Sequence, residues 1–294
     1  MTNSSISGAG ILPYAIVRKS VYILLGKERF CSGWRYGSNK WSYFSGKAET
    51  DENEIITAAR EFVEETMGIV SIIRKNINVT VEHVAWGIEN GTFSCRVLNS
   101  TTLDEDTPSR KHVCYVMKIP FQSQIIYKFN ETRSTLMHLM CMIHKYIKLK
   151  SSSNLCRMIF PGYRLTSTIT CTDLNMCNNH MIAEYYDESL DEVYHVRYKL
   201  IENAIQISSV WHNMLEYVNH LPQYIRRHPA IGIHTKNGKI TYVTVRNAYM
   251  EKQEIKWFKI DDLNTMIDKN PFIFRDNFIK QFKSIRCMFN KFDH

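Results

Sequence analysis

Glu61, Glu64 and Glu65 constrain this chain more than any other residues in it. They close the run Gly46-Lys-Ala-Glu-Thr-Asp-Glu52-Asn-Glu-Ile-Ile-Thr-Ala-Ala-Arg60-Glu61-Phe-Val-Glu64-Glu65. On a helix, residues spaced i, i+3 and i+4 share a face, so three carboxylates stand together. Like charges at that spacing repel, and stability alone does not gather them. A positive partner is required, and a hard divalent cation with oxygen ligands suits them best. Arg60 adjoins the cluster and is placed to neutralise or orient one member. Ile55, Ile56, Ala59, Phe62 and Val63 form the opposite, apolar stripe, as expected of a helix with one face in a core. One short helix is thus expected to join a core to a magnesium or manganese platform.

The run resembles the box of the Nudix hydrolases, G-x5-E-x7-R-E-U-x-E-E-x-G-U, where U is a bulky apolar residue. Gly46, Glu52, Arg60, Glu61, Glu64 and Glu65 fall in register, with Phe62 at the first apolar position. The tail departs: Met67 stands where the box has glycine, and the glycine comes one residue later, at Gly68. The extra residue is expected to be absorbed at the helix C-terminus, with Gly68 in the left-handed cap. Ser45-Gly46 replaces the Gly-Gly that often opens the box.

The flanking pattern extends the resemblance. Gly8–Ile16 and Val21–Leu25 read as strands joined by the polar Arg18-Lys19-Ser20, and Trp41–Phe44 reads as a short strand running into the box. His112–Phe121 is a further strand. Leu136–Leu149 is helical by the spacing of Leu136, Met140, Ile143 and Ile147, and Ser151–Asn154 reads as a polar break. Ala204–His220 reads as a helix. Ile231–Val245 is a hairpin about Asn237-Gly238, the preferred type I′ pair. Glu251–Leu263 is similar to the Nudix strand with the pattern E-x-x-x-x-W-x-x-x-x-x-L that leads into a last helix, and Arg275–Phe289 supplies that helix. The resemblance brackets both ends of the chain. It implies an α/β fold, an α/β/α sandwich with a mixed β-sheet. Residues 1–7 are expected to be a flexible N-terminus and 8–294 a single domain, carrying a large, partly helical insertion at 128–230.

Composition sets outer bounds. The chain has 294 residues, 44% of them hydrophobic and 12% aromatic, enough for a core. No apolar run approaches the roughly 20 residues that span a bilayer, so no membrane role is expected. Met1–Ser7 lacks a basic then apolar segment, so no secretion signal is read there and a cytoplasmic location is expected. Eight cysteines without a C-x-x-C pair read as reduced, mostly buried thiols. The net charge of +8, around an acidic centre, suits a polyanionic substrate.

Within the resemblance, the chemistry is cleavage of a diphosphate linked to a group X, with water attacking phosphorus. The implied ligands of Mg2+ or Mn2+ are Glu61, Glu64 and Glu65, with the backbone of Gly46 at the turn. Glu61 is implied as ligand, water-activating base, or both. Arg60 would pin a carboxylate from behind. Glu52, at the head of the helix, suits the dipole and the turn, in either a structural or a supporting role. A further carboxylate in such enzymes comes from a distant loop: Glu251 is the preferred residue, Glu254 the alternative, and both are equally readable as surface charges.

Weaker constellations carry less. His138, Cys141 and His144 spread over too wide an arc for one metal, and Cys171, Cys177 and His180 match no common zinc spacing. Basic-aromatic stretches at His144–Lys150, Tyr224–His228 and Lys280–Lys291 read either as solvated faces or as RNA contacts. Two substrate classes compete: capped mRNA, favoured by the insertion and the basic balance, and small nucleotide derivatives such as nucleotide sugars, dinucleoside polyphosphates or oxidised nucleotides. Richness in Asn, Ile, Lys and Tyr resembles AT-rich genomes, including those of large DNA viruses, several of which encode Nudix decapping enzymes. The opposing class is a Nudix fold that has lost catalysis and only binds nucleotide or RNA.

Overall fold

The computed structural model describes residues 6–32, 34, 37–72, 79–90, 93–101, 110–159, 182–187, 192–197 and 199–289. The chain divides into two compact units, residues 1–134 with 246–294, and residues 135–245. The second is therefore inserted into the sequence of the first.

The first unit is built on β1 (Ile6–Val17), β2 (Ser20–Glu28), β3 (Trp41–Ser42), β4 (Phe44–Lys47), α1 (Glu54–Glu65), α2 (Val81–Glu89), β5 (Phe93–Thr101) and β6 (Arg110–Lys118). The chain leaves this unit within α3 (Ile125–Ile159). The second unit then holds β7 (Ile182–Asp187), β8 (Glu192–Arg197), α4 (Lys199–His220), α5 (Gln223–Arg226), β9 (Ile231–Lys236) and β10 (Lys239–Val245). The first unit resumes with a 3-10 turn (Asn247–Met250), β11 (Lys252–Lys259), α6 (Ile260–Lys269) and α7 (Asp276–Phe289).

The principal sheet runs β11-β2-β1-β6-β5, with β3 beside β2 and β4 beside β1. It is mixed: β1 and β6 are parallel, and every other pairing is antiparallel. Alternation along the strands loads both faces. Leu12 and Tyr14 of β1, Ile23 and Leu25 of β2, and Cys114 and Val116 of β6 share one core with Leu263 and Ile267 of α6 and with Phe278, Phe282, Ile285 and Phe289 of α7. Ile11, Val113 and Tyr115 lie between these positions and point the other way. There the Tyr115 hydroxyl donates to Glu54 of α1 at 2.7 Å, and Phe62 of α1 meets Phe44 edge-to-face at 5.7 Å. Helices thus cover both faces of the sheet, the expected α/β/α layering. Of the apolar stripe on α1, Ala59, Phe62 and Val63 are buried, but Ile56 is 36% exposed.

Local chemistry explains the element ends. Arg18 and Lys19 both take positive φ, 47° and 67°, in the turn between β1 and β2. Asn237 and Gly238 do the same, at 51° and 71°, between β9 and β10, as a type I′ turn requires. Asn53 caps α1, its Oδ1 accepting from the N–H groups of Ile55 and Ile56 at 3.0 and 2.9 Å. At the C-terminal end Gly68 is left-handed, as expected, but it is not the first residue to be so. Met67 enters the left-handed region first (φ 56°) and Gly68 follows (φ 61°). Gly68 N–H donates to Val63 O at 2.7 Å and Met67 N–H to Glu64 O at 3.1 Å, the two bonds of a Schellman cap. Met67 tolerates a position suited to glycine because its side chain is 1% exposed; burial offsets the backbone cost.

The second unit has its own small core, where Leu139 and Ile143 of α3 meet Met214 and Val218 of α4 and Val243 of β10. Helix α3 runs through Ser151–Asn154, so the polar break expected there is absent; serines cost a helix little. Among the described cysteines, Cys114 is buried, but Cys31, Cys141 and Cys287 are exposed, so the expectation of mostly buried thiols does not hold for them. Among the described residues, no helix is long and apolar enough to cross a membrane.

Candidate functional site

Arg60 is the hub of the acidic helix. Its Nε donates to Glu52 Oε1 at 2.7 Å and its Nη1 to Glu61 Oε1 at 2.8 Å and Glu64 Oε2 at 3.1 Å. Its Nη2 donates to Glu52 Oε2 at 3.0 Å and to the Lys47 carbonyl at 2.9 Å. One guanidinium therefore ties the end of β4 to three carboxylates. Glu52 also accepts from the Glu49 N–H at 3.0 Å, so it closes the preceding turn while Asn53 caps the helix itself. The Arg60 bonds hold the Glu52 carboxyl below its usual range.

Glu61 and Glu64 have the opposite electrostatics. Burial pushes Glu61 up to about 7; Arg60 opposes this, and the charges of Glu251 and Glu64 add to it. Burial raises Glu64 as well, with Arg60 opposing and Glu49 and Glu52 adding. Even with Arg60 in place, burial leaves both carboxyls above their usual range. Gly46, in β4, leaves the space Glu61 uses: a Cβ there would stand 2.1 Å from Glu61 Oε1.

The charge of Glu251 reaches Glu61 from another element. Glu251 closes the 3-10 turn ahead of β11; partial burial of its carboxyl raises it, Lys252 opposes, and the charges of Glu28 and Glu64 add. Glu254 instead sits within β11, opposite Lys27 of β2.

Glu65 lies deeper: burial pushes its carboxyl well above the usual range, with Lys252 opposing and the charges of Glu28 and Glu61 adding. Its side chain is 2% exposed. Oε2 accepts the Ser45 N–H at 2.7 Å, and Oε1 pairs with Lys252 Nζ at 2.9 Å. Lys252, 0% exposed, also pairs with Glu28 at 2.5 Å, and Arg275 reaches Glu28 at 3.1 Å. Burial alone would lower the Lys252 pKa; the carboxylates of Glu65 and Glu28 outweigh it, and the net direction is up. Sequence reasoning missed Lys252 and Glu28. The only signal was the adjacency of Lys252 to Glu251, and nothing in the sequence pairs it with β2.

Among the described residues, no group of three or more His, Cys, Asp or Glu side chains is already gathered around one point. The donor set at Glu61, Glu64, Glu65 and Glu251 is nonetheless oxygen-only and backed by the space at Gly46. Those features fit Mg2+ or Mn2+ better than zinc. His138, Cys141 and His144 are all exposed on α3, and Cys171, Cys177 and His180 lie outside the described residues. Of the basic stretches, Lys145, Lys148, Arg226, Arg227, Lys280, Lys283 and Arg286 are exposed. His228 is buried and accepts the Ala230 N–H at 3.1 Å.

No protein-family model matches the chain, and no curated protein matches it. Solved structures similar to part of it include an Ap4A hydrolase of C. elegans, with 15% identity over 40% of this chain and 69% of that one, at a TM-score of 0.26. A Nudix hydrolase of M. smegmatis, RenU, has 14% identity over 40% of this chain and 63% of that one, at 0.28. The NUDIX domain of Shewanella oneidensis NrtR, complexed with ADP ribose, has 14% identity over 41% of this chain and 64% of that one, at 0.25. This chain spans less than two thirds of the length of the latter two. Likeness of this degree leaves the site to be argued from its own residues.

Proposed function

We propose that this chain is a Mg2+- or Mn2+-dependent hydrolase of the Nudix type, cleaving a nucleoside diphosphate linkage with water. The observation that carries this is the clustering of Glu52, Glu61 and Glu64 on the single guanidinium of Arg60, with the charge of Glu251 added from another element. Glu61, Glu64 and Glu65, with Glu251, would hold the metal. When bound, it would neutralise the non-bridging oxygens of the diphosphate and acidify a water. Arg60 orients Glu61 and Glu64 from behind, and Gly46 makes room for Glu61. Glu61 acts as ligand or as the base that accepts the proton of the attacking water. A binding module without catalysis would have no use for so many clustered carboxylates.

The substrate we assign is capped RNA, cleaved within the cap diphosphate. A large second unit and exposed basic residues such as Arg226 and Arg227 favour a long polyanion over a compact nucleotide. The test is turnover of a cap dinucleotide, a long capped RNA and a panel of nucleotide sugars and dinucleoside polyphosphates, each with Mg2+ or Mn2+. Faster cleavage of the long capped RNA at low salt is the expected result. Equal rates on cap dinucleotide and long RNA would assign the chain to small nucleotides, and no turnover of any substrate would overturn the hydrolase.

A further inference from the structure

Building on the hydrolase reading above, we propose that Arg29 and Arg133 form a phosphate subsite beside Glu251, which takes a third phosphate of the substrate, next to the two that flank the scissile bond. Arg29 follows β2, and Arg133 lies in the part of α3 that belongs to the first unit. The Arg29 N–H donates to the Glu251 carbonyl at 2.7 Å. Arg133 Nε donates to the Lys252 carbonyl at 3.1 Å. Two distant elements thus bring their arginines to consecutive carbonyls of the segment that carries Glu251. Arg29 is exposed and Arg133 partly buried. Arg60, Lys252 and Arg275 each pair with a carboxylate; among the described residues, Arg29 and Arg133 form no ion pair.

Two cations side by side repel, and one of them is partly withdrawn from water with a single carbonyl as partner. Burial, and then the charge of Arg29, lowers the Arg133 pKa, so the two do act on each other. Arg133 bonds through Nε, which leaves the two Nη groups of its fork to donate to an anion. A phosphate, with several acceptor oxygens, relieves the repulsion and fills those donors. Glu251 links this pair to the metal site. Burial raises its carboxyl, and Lys252 and Arg29 act against that; its own charge acts in turn on Glu61. The arginines hang on the backbone at 251 and 252, not on the carboxylates of α1, so their phosphate lies beside the ion rather than on it. A diphosphate linkage fills the metal site alone, whereas a chain of three or more phosphates fills both. Arg29 and Arg133 thereby select capped RNA and dinucleoside polyphosphates over nucleotide sugars.

The experiment compares a cap dinucleotide, linked by three phosphates, with its diphosphate-linked analogue in Mg2+, and adds calorimetry of inorganic tripolyphosphate. The wild type should show the lower KM for the three-phosphate substrate. Arg29→Gln and Arg133→Gln should each raise that KM ~10-fold or more with kcat far less affected. The KM for the diphosphate analogue should rise much less, so discrimination between the two collapses. Arg133→Lys keeps the charge but not the fork, and should recover part of it. Tripolyphosphate binding should weaken ~10-fold in both Gln variants. Arg29→Gln changes an exposed side chain and keeps the backbone bond to Glu251, so its thermal midpoint should stay near that of the wild type. Equal KM rises on both substrates would overturn the subsite, as would a tripolyphosphate affinity that neither Gln variant changes. No turnover of either substrate by the wild type would instead overturn the hydrolase reading. Tripolyphosphate binding that depends on the two arginines would then leave the subsite standing.

Discussion

Gly46 and Glu61 touch so closely that any side chain at 46 would occupy the carboxylate's place: an added Cβ would lie 2.1 Å from Glu61 Oε1 and 2.3 Å from its Cδ. Gly46 has no positive φ, so the need for glycine here is one of space. Gly46→Ala is therefore expected to fold, because the far end of Glu61 can swing aside. The swing should weaken Mn2+ binding by ~10- to 100-fold, with the metal-free thermal midpoint nearly unchanged. Titration calorimetry of both proteins would show it, and an unchanged Mn2+ affinity would refute it.

Glu64→Gln keeps the shape of the side chain and removes its charge. Hydrolysis should fall by orders of magnitude under saturating Mg2+. Without metal, the thermal midpoint should stay equal or rise, since Glu64 is crowded by Glu49 and Glu52. Near wild-type turnover would remove Glu64 from the site.

The pH dependence of stability separates Glu61 from its surroundings. Its folded pKa is raised from 4.5 to about 7, so its contribution is fully present below 4.5 and is lost as pH rises through 7. His112 works in the opposite sense: burial, then Arg275, lowers it from 6.5 to about 4, so its contribution is present above 6.5 and lost as pH falls through 4. The difference between wild type and Glu61→Gln in metal-free buffer isolates the first effect. Glu61→Gln should gain stability relative to wild type between about pH 5 and 8. Chemical denaturation across that range would detect it, and a constant difference would contradict it.

Met67 sets a backbone cost against a packing gain. Met67→Gly would relieve the left-handed strain, worth about 1 kcal/mol. It would also empty a site that is 1% exposed, at a cost of roughly 2–5 kcal/mol. The expected net effect is destabilisation, read as a lower urea midpoint at constant slope. A stabilised variant would mean that burial does not hold Met67.

Arg226 and Arg227 are exposed at the end of α5. Replacing both with Ala should weaken capped-RNA binding and flatten its salt dependence by about one to two ions released. Cleavage of a cap dinucleotide should barely change. An unchanged salt slope would remove these residues from RNA contact.

Much of the fold was local and therefore legible. The spacing of Phe62 and Val63 against Glu61, Glu64 and Glu65 marks an amphipathic helix, and α1 spans Glu54–Glu65. Asn237-Gly238 marks its turn because few residue pairs accept two positive φ values in succession, whereas Arg18-Lys19 is legible only as a polar join between two β-rich runs. Helix α2 was not legible: at 9 residues, with Gly87 inside it and Trp86 56% exposed, it is too short for a clear period. Neither was the length of α3, whose polar continuation mimics a loop.

What the sequence by itself determined is the set of carboxylates, the helix that carries them and their spacing, because helix geometry converts order into position within two turns. Tertiary structure alone decided which cation each carboxylate meets. Lys252 and Glu28 are 224 residues apart and face each other only because β11 pairs with β2. That pairing buries the Lys252 ammonium beside Glu65, while Arg60, one residue from Glu61, keeps the other carboxylates. Charge acts through space, and at such separations the sheet, not the order of residues, sets the distance.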